Sequence, residues 1–209
     1  MKRPERVTLE GRRVRIVPLD AAAHTAELYA GSRDPGLWRY LANGPFTDEG
    51  GFRECQLERE RSLDPLFFTI LDARTGAAVG FCAFLRIEPA HRVIEVGHIL
   101  FLPCLQRTVG ATESMYLLAR YVFEDLGYRR YEWKCDTLNA PSRSAALRLG
   151  FTFEGIFRQH LIVKGKNRDT AWYSMLDTEW EDRKRAFEEW LDAANFDAEG
   201  RQKKSLGRR

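Results

Sequence analysis

The chain has 209 residues, 44% of them hydrophobic and 30% charged, which suits one globular unit with its own core. No apolar run nears the ~20 residues of a membrane helix, and the basic start "MKRPERVTLEGRR" has no apolar stretch behind it to make a secretory signal. Four scattered cysteines without a C-x-x-C pair, and four histidines apart from ligand spacing, exclude a disulfide frame and a metal site and fit a cytoplasmic protein.

Residues 1–8 read as an extension. "RRVRIVPL" (12–19) alternates as a first strand, and Asp20 can cap a helix over "AAAHTAELYAGS" that stops near Gly31. "WRYLANGPFTDEGG" is turn-rich, and Thr47 or Asp48 can open a second helix through "FRECQLERERSL". "PLFFTILD" and "AAVGFCAFLRIE" form a hairpin across "ARTG", and residues 92–102 make the next strand. Gly80 and Gly97, inside these strands, mark bulges or a close backbone approach.

From Ala111 the pattern turns helical, with Met115, Leu118, Ala119, Val122 and Leu126 on one stripe and Gly127 as the stop. "RRYEWKCD" is a short strand. "NAPSRSAALRLGF" is a short helix with Pro141 at its start and Gly150 past its end. "FRQHLIVK" and "DTAWYSML" pair around "GKNR". The amphipathic helix 179–194 must bury Trp180, Phe187, Trp190 and Leu191 against its own sheet or a second copy of the chain, so a homodimer stays open. The end, "GRQKKSLGRR", carries five basic residues and no acids; without it 28 basic face 30 acidic residues, so the body is nearly neutral. Residues 197–209 therefore read as a flexible, solvated tail, and nucleic acid is not the expected partner. The element order gives an α/β (α+β) chain around one mixed, mostly antiparallel sheet of six to seven strands flanked by helices.

The stretch "FLPCLQRTVGATES" becomes small and polar where a strand hands over to a helix. The first-turn N–H groups of that helix lack intrahelical partners and sit at the positive end of its dipole. Two readings share the stretch. Gln106, Arg107, Thr108, Val109, Gly110, Ala111 and Thr112 form an anion cradle suited to a phosphate, or Thr108 merely caps a helix. No G-K-[ST] or G-x-G-x-x-G pattern is present.

"QRTVGATE" followed by "LGYRRYEWKCDTLNAPSRSAALRLGFTFEG" resembles the GCN5-related N-acetyltransferase superfamily, most closely the branch acetylating ribosomal-protein N-termini and its small-molecule relatives. The family's pyrophosphate signature, Q/R-x-x-G-x-G/A, is present through Gln106, Gly110 and Ala111, with Val109 in place of the usual first glycine. An Asn followed eleven and twelve residues later by Gly-Phe is intact as Asn139, Gly150 and Phe151.

The resemblance implies a domain over residues 9–180, followed by a terminal helix (181–196), with acetyl-CoA as co-substrate and no metal. It implies that the strand ending in Leu100, Phe101 and Leu102 splays from its neighbour and offers free backbone to the pantetheine arm, and that Asn139 reaches a pantetheine amide. One freed N–H would hold the thioester carbonyl oxygen as it gains charge, worth ~3–4 kcal/mol. Glu95, eleven residues before Gln106, stands where the histone-acetylating branch keeps its base; the alternative is a solvated or arginine-paired glutamate. His98 is the second base candidate, with an ordinary pKa near neutrality. The tyrosine that many relatives use as acid is Ala146 here, and Ser142 stands where the ribosomal-protein branch keeps a serine; it relays a proton or satisfies a helix-end N–H. For the acceptor, Arg158 suits a carboxylate or phosphate and Asp169 an amine or a turn; Lys164 and Arg168 are further candidates. Trp38, in a polar loop, is the aromatic wall of choice, and Trp133 and Trp172 read as core. The expected acceptor is a primary amine of a small molecule, amino acid or aminoacyl compound, with a protein N-terminus or a non-catalytic acyl-CoA sensor as alternatives.

Overall fold

A computed structural model of the protein describes residues 2–207. Eight strands make one sheet: β1 (Leu9–Glu10), β2 (Val14–Pro18), β3 (Leu66–Asp72), β4 (Ala78–Glu88), β5 (Val93–Phe101), β6 (Arg130–Asp136), β7 (Thr152–Val163) and β8 (Lys166–Leu176). Their spatial order is β1-β2-β3-β4-β5-β6-β8-β7, and β5–β6 is the parallel pair in an otherwise antiparallel ladder. The α/β class with a mostly antiparallel sheet is thus as expected. The extra strand is β1, which at two residues is too short to leave an alternating pattern.

Helices α1 (Ala21–Gly31) and α2 (Glu49–Arg61) cover one face of β2–β5. Asp20 accepts the Ala23 N–H at 2.9 Å and Asp48, rather than Thr47, accepts the Gly51 N–H at 2.8 Å, so both helices begin where a carboxylate can take a first-turn donor. Leu28 and Phe52 from these helices close over Phe67, Phe81, Leu100 and Leu102.

Helices α3 (Val109–Arg120), α4 (Ala140–Arg148) and α5 (Asp177–Leu191) build the other layer. Helix α3 starts two residues before the predicted Ala111 and is buried from Gly110 to Ala119, so its apolar stripe is only part of what it buries. A π turn, Tyr121–Asp125, ends it before Gly127, whose φ of +65° supplies the left-handed stop. Helix α5 sets Trp180 and Phe187 on this same layer, with the Trp180 and Phe123 rings stacked at 5.0 Å. Its aromatic face is therefore buried within the chain, each ring contributing about 2–3 kcal/mol of apolar transfer. The expected 180/181 boundary falls inside this helix.

Two further expectations are corrected. The β7–β8 turn is Lys164-Gly165, both at positive φ (49° and 74°), which suits a two-residue hairpin; the remainder of "GKNR" belongs to β8. The segment expected to be a solvated tail folds back as far as it is described. Asn195 bonds the Lys204 N–H and carbonyl, the Trp190 indole donates to Gln202 at 2.8 Å, and Leu206 is buried in the main core. Arg208 and Arg209 of that segment lie outside the described residues.

Candidate active site

Strands β5 and β6 pair in register only from Val93 opposite Arg130 to Val96 opposite Trp133. Beyond Val96 they part, while β5 stays paired with β4 to Phe101, and Leu102 N–H still reaches Val79 O at 2.9 Å. A bulge causes the turn away. Between Phe81 opposite Leu100 and Ala83 opposite Gly97, β5 holds one extra residue, and His98 takes φ +49° there. Gly80 answers a close approach, since a Cβ on it would stand 2.6 Å from Leu100 O. Leu100 and Leu102 send their side chains into the α1–α2 core, so what they present to the gap is backbone.

At the far end of β5, Gln106 turns its amide back onto Phe101 O (2.9 Å) and Arg107 takes φ +60°. Thr108 caps α3: its Oγ1 accepts the Ala111 N–H at 3.2 Å and donates to Leu105 O at 2.7 Å. Thr108 is thus a helix cap, and the Val109 and Gly110 N–H groups remain as first-turn donors. A cavity of about 360 Å³ opens here, lined by Arg13, Val14, Asp72, Val79, Cys104, Leu105 and residues 108–110. Gly110 is needed for packing as well as access: a Cβ would meet Val14 Cγ1 at 3.1 Å. Thr112, expected in the cradle, is buried and accepts from Arg148 at 3.0 Å instead.

One residue of this stretch went unassigned in sequence. Buried Glu113 accepts the N–H groups of Arg12, Arg13 and Val14 at 3.0, 2.7 and 3.0 Å, clamping the first hairpin onto the start of α3. It stands at the fifth position of α3, past the first turn, and no local pattern announces partners about a hundred residues away in the first hairpin.

On the other lip of the gap, Asn139 caps α4 by accepting the Ser142 N–H at 3.2 Å, leaving its amide NH₂ free. Ser142 is the third residue of α4, not an end-N–H acceptor; its hydroxyl takes the Trp133 indole N–H at 3.0 Å and lies against the Cys135 thiol. Trp133 is core, as expected.

Glu95 is buried, and its Oε2 takes both Lys134 Nζ (2.8 Å) and Arg86 Nη1 (2.7 Å). Lys134, equally buried, also pairs with Glu132 at 2.7 Å. Glu95 Oε1 takes no hydrogen bond among the described residues and faces Gly97, where β5 leaves β6; a Cβ there would be 3.5 Å from it. Burial pushes the Glu95 carboxyl above the usual range, against the pull of Lys134 and Arg86. His98 moves the other way, to about 4, through burial first and then the positive charges of Arg59, Arg86 and Arg168. An imidazole so held is neutral at pH 7 and too weak a base to match an ammonium, contrary to its expected near-neutral pKa.

The acceptor candidates separate. Trp38 is 1% exposed, packed against Phe46, Phe52 and Phe81, and donates its indole N–H to Ser32 O at 2.8 Å. It is core, whereas Trp172, expected in the core, is half-buried over Lys134 Nζ at 3.8 Å. Lys164 bonds Trp38 O at 2.7 Å, tying the last hairpin to the α1–α2 connection. Arg158 and Asp169 line an open cavity of about 660 Å³ with Gln159 and Asn167. By strand alternation Asp169 shares a face with Ala171 and Tyr173, away from Trp172 and Lys134. Its carboxylate accepts from Gln159 N–H (2.7 Å) and Asn167 (3.0 Å), which is turn and bulge chemistry, and those bonds hold its pKa low. Arg168, on the Trp172 face, points its Nε to Thr170.

Among the described residues no cluster of three or more His, Cys, Asp or Glu could hold a metal, and no helix is long and apolar enough to cross a membrane.

A family model described as "Acetyltransferase (GNAT) domain" matches residues 13–152. "Putative ribosomal N-acetyltransferase YdaF" of Bacillus subtilis is 29% identical over 82% of this chain and 94% of its own length. A solved GCN5-related N-acetyltransferase from Brucella melitensis superposes with TM-score 0.96 at 48% identity, over 98% of this chain and 94% of that one. The Microcin C7 self-immunity acetyltransferase MccE, solved with acetyl-CoA and AMP, shares the fold at TM-score 0.69 and 20% identity, over 79% of this chain and 93% of its own.

Proposed function

The chain belongs to the GNAT acetyltransferase family and is an acyltransferase; from that premise we propose that it moves an acetyl group from acetyl-CoA to the primary amine of a small molecule, amino acid or aminoacyl compound. The observation that carries this is the parting of β5 from β6 after Val96, with the first turn of α3 at the end of the freed strand. The residues fit a CoA thioester: an unpaired strand edge suits an amide-bearing arm, and the Val109 and Gly110 N–H groups suit a diphosphate. Arg107 adds charge beside them, and the Asn139 NH₂, without a hydrogen bond among the described residues, is the proposed donor from the other lip. Bound acetyl-CoA supplies an activated acyl group with a good thiolate leaving group.

Glu95 is the proposed base. Its Oε1 faces the gap, its Oε2 is immobilised by two cations, and burial raises its basicity toward that of an amine-accepting group. Attack by the freed amine proceeds in a ternary complex, with a β5 backbone N–H stabilising the carbonyl oxygen as it gains charge. Ser142, whose hydroxyl takes the Trp133 indole N–H, is the proposed hydrogen-bond donor to the leaving sulfur. The name of YdaF favours a second reading, in which the amine is a protein N-terminus. Calorimetric titration with CoA and a thiol-release screen over pooled primary amines test the proposal. Micromolar CoA binding and amine-dependent release are expected; no CoA binding at millimolar concentration overturns it.

A further inference from the structure

Arg59 is a buried cation without an anion. It lies on the sheet side of α2, 5% exposed, with its guanidinium 4.5 Å over the Phe81 ring and 5.2 Å from that of Phe67. Its hydrogen bond goes to Gln56 Oε1 at 2.7 Å, and among the described residues no carboxylate stands within 4.0 Å. Gln56 is fully buried, yet its Nε2 has no acceptor. Burial accordingly lowers the Arg59 pKa. An unpaired buried charge costs several kcal/mol, and for folding alone an apolar side chain would serve better.

The surplus continues across the gap on the same face. His98 shares the Phe67 ring with Arg59, at 5.2 Å between centroids, and stands within the field of Arg59, Arg86 and Arg168. Arg86 and Lys134 are balanced by Glu95 and Glu132, whereas Arg168, like Arg59, has no carboxylate partner among the described residues. The Trp172 indole N–H is buried without an acceptor. Positive charge without a carboxylate partner, from Arg59 and Arg168, therefore acts on His98, with the unsatisfied Gln56 amide beside Arg59.

We infer that the acceptor amine also carries a carboxylate, received by Arg59 and the free Gln56 amide. This rests on the acetyl-transfer reading. One guanidinium edge plus one amide N–H matches the two oxygens of a carboxylate, in the forked geometry that makes arginine selective for it. The amine of such a molecule then falls on the Glu95 side of His98, and Arg168 and Trp172 close the far wall.

Two experiments decide it. In the first, thiol release from acetyl-CoA is measured with glycine, β-alanine, 4-aminobutanoate and the common amino acids, each against its neutral amide or decarboxylated amine. A preference of about 10²-fold or more in kcat/KM for the carboxylated member is expected, because a site built of donors rejects the analogue that leaves them unpaired. Arg59→Met should abolish that preference through the acceptor KM, with CoA affinity unchanged. Gln56→Glu gives Arg59 an internal partner and should raise Tm while losing the preference, which keeps the test decisive if Arg59→Met folds poorly. Equal turnover of neutral partners, or preference retained in Gln56→Glu, overturns the inference.

The second experiment needs no turnover. N-acetylglycine and N-acetylglycinamide are titrated into CoA-saturated protein while the His98 imidazole resonances are followed by NMR. The acid alone should shift them, saturably, and not in Gln56→Glu. An unmoved His98 overturns the carboxylate site even where amines are acetylated. Failure of CoA to bind overturns the transfer reading, and the titration repeated without CoA still decides the site.

Discussion

Replacing Glu113 by glutamine removes one negative charge from the junction between the first hairpin and α3. The wild-type carboxylate accepts three backbone N–H groups, Arg13 and Val14 on Oε2 and Arg12 on Oε1. Glutamine can keep its carbonyl on Arg13 and Val14, but its NH₂ then confronts the Arg12 N–H donor to donor. Charge assistance on two bonds is worth about 1 kcal/mol each, and a lost charged bond with its donor stranded costs about 1.5–3 kcal/mol, so destabilisation of about 3–5 kcal/mol is expected. For a chain of this size that lowers Tm by about 6–20 °C. Urea titration should show a lower midpoint at unchanged m, because the fold, and so the surface exposed on unfolding, is the same. CoA affinity should weaken too, since Gly110 packs on Val14, which Glu113 anchors. Asp182→Asn, at an exposed pair 3.4 Å from Arg185, is the control and should cost under about 0.5 kcal/mol. A Glu113→Gln loss as small as the control's would refute the clamp.

Glu95→Gln should lower kcat by about 10²–10⁴ with CoA affinity intact; a loss below tenfold, or an unchanged pH–rate profile, would remove Glu95 as base. His98 makes stability depend on acid. Its pKa is about 4 in the fold against 6.5 ordinarily, so between these values the unfolded chain binds the extra proton. Stability therefore falls as pH drops from 6.5 toward 4, by at most about 3 kcal/mol, and His98→Gln should flatten that part of the curve in urea titrations at pH 7 and 4.5. Trp38→Ala empties a site ringed by three phenylalanines and should cost about 3–5 kcal/mol by chemical denaturation; a loss under 1 kcal/mol would mean its ring is not core.

What the sequence shows well is local. Asp20, Asp48, Thr108 and Asn139 each cap a helix within three residues of themselves, and that short reach is why "QRTVGATE" and "LNAPSRS" could be placed on helix starts without a structure. The free strand edge was legible through the family resemblance, and Gly97 marked its bulge.

What the sequence alone left undecided is which side chains meet. Trp38 and Trp172 exchange their expected places because burial depends on what packs above: Phe52 of α2 closes over Trp38, whereas Trp172 packs against Phe157 and His160 of the last hairpin and Lys134. The end of the chain read as solvated from its charge, and it folds back because Asn195 and Trp190 supply partners that composition does not reveal. Glu95 was singled out through the resemblance, but that Lys134 joins Arg86 on its carboxylate follows from the β5–β6 register, and the docking of Arg59 on Phe67 and Phe81 follows from how α2 packs on the sheet. Capping and periodicity are settled within a few residues, so the chain by itself determined the elements and the helix starts. Burial and charge pairing are settled by strands and helices tens of residues apart, so only the tertiary structure decided which charges are paired and which are not.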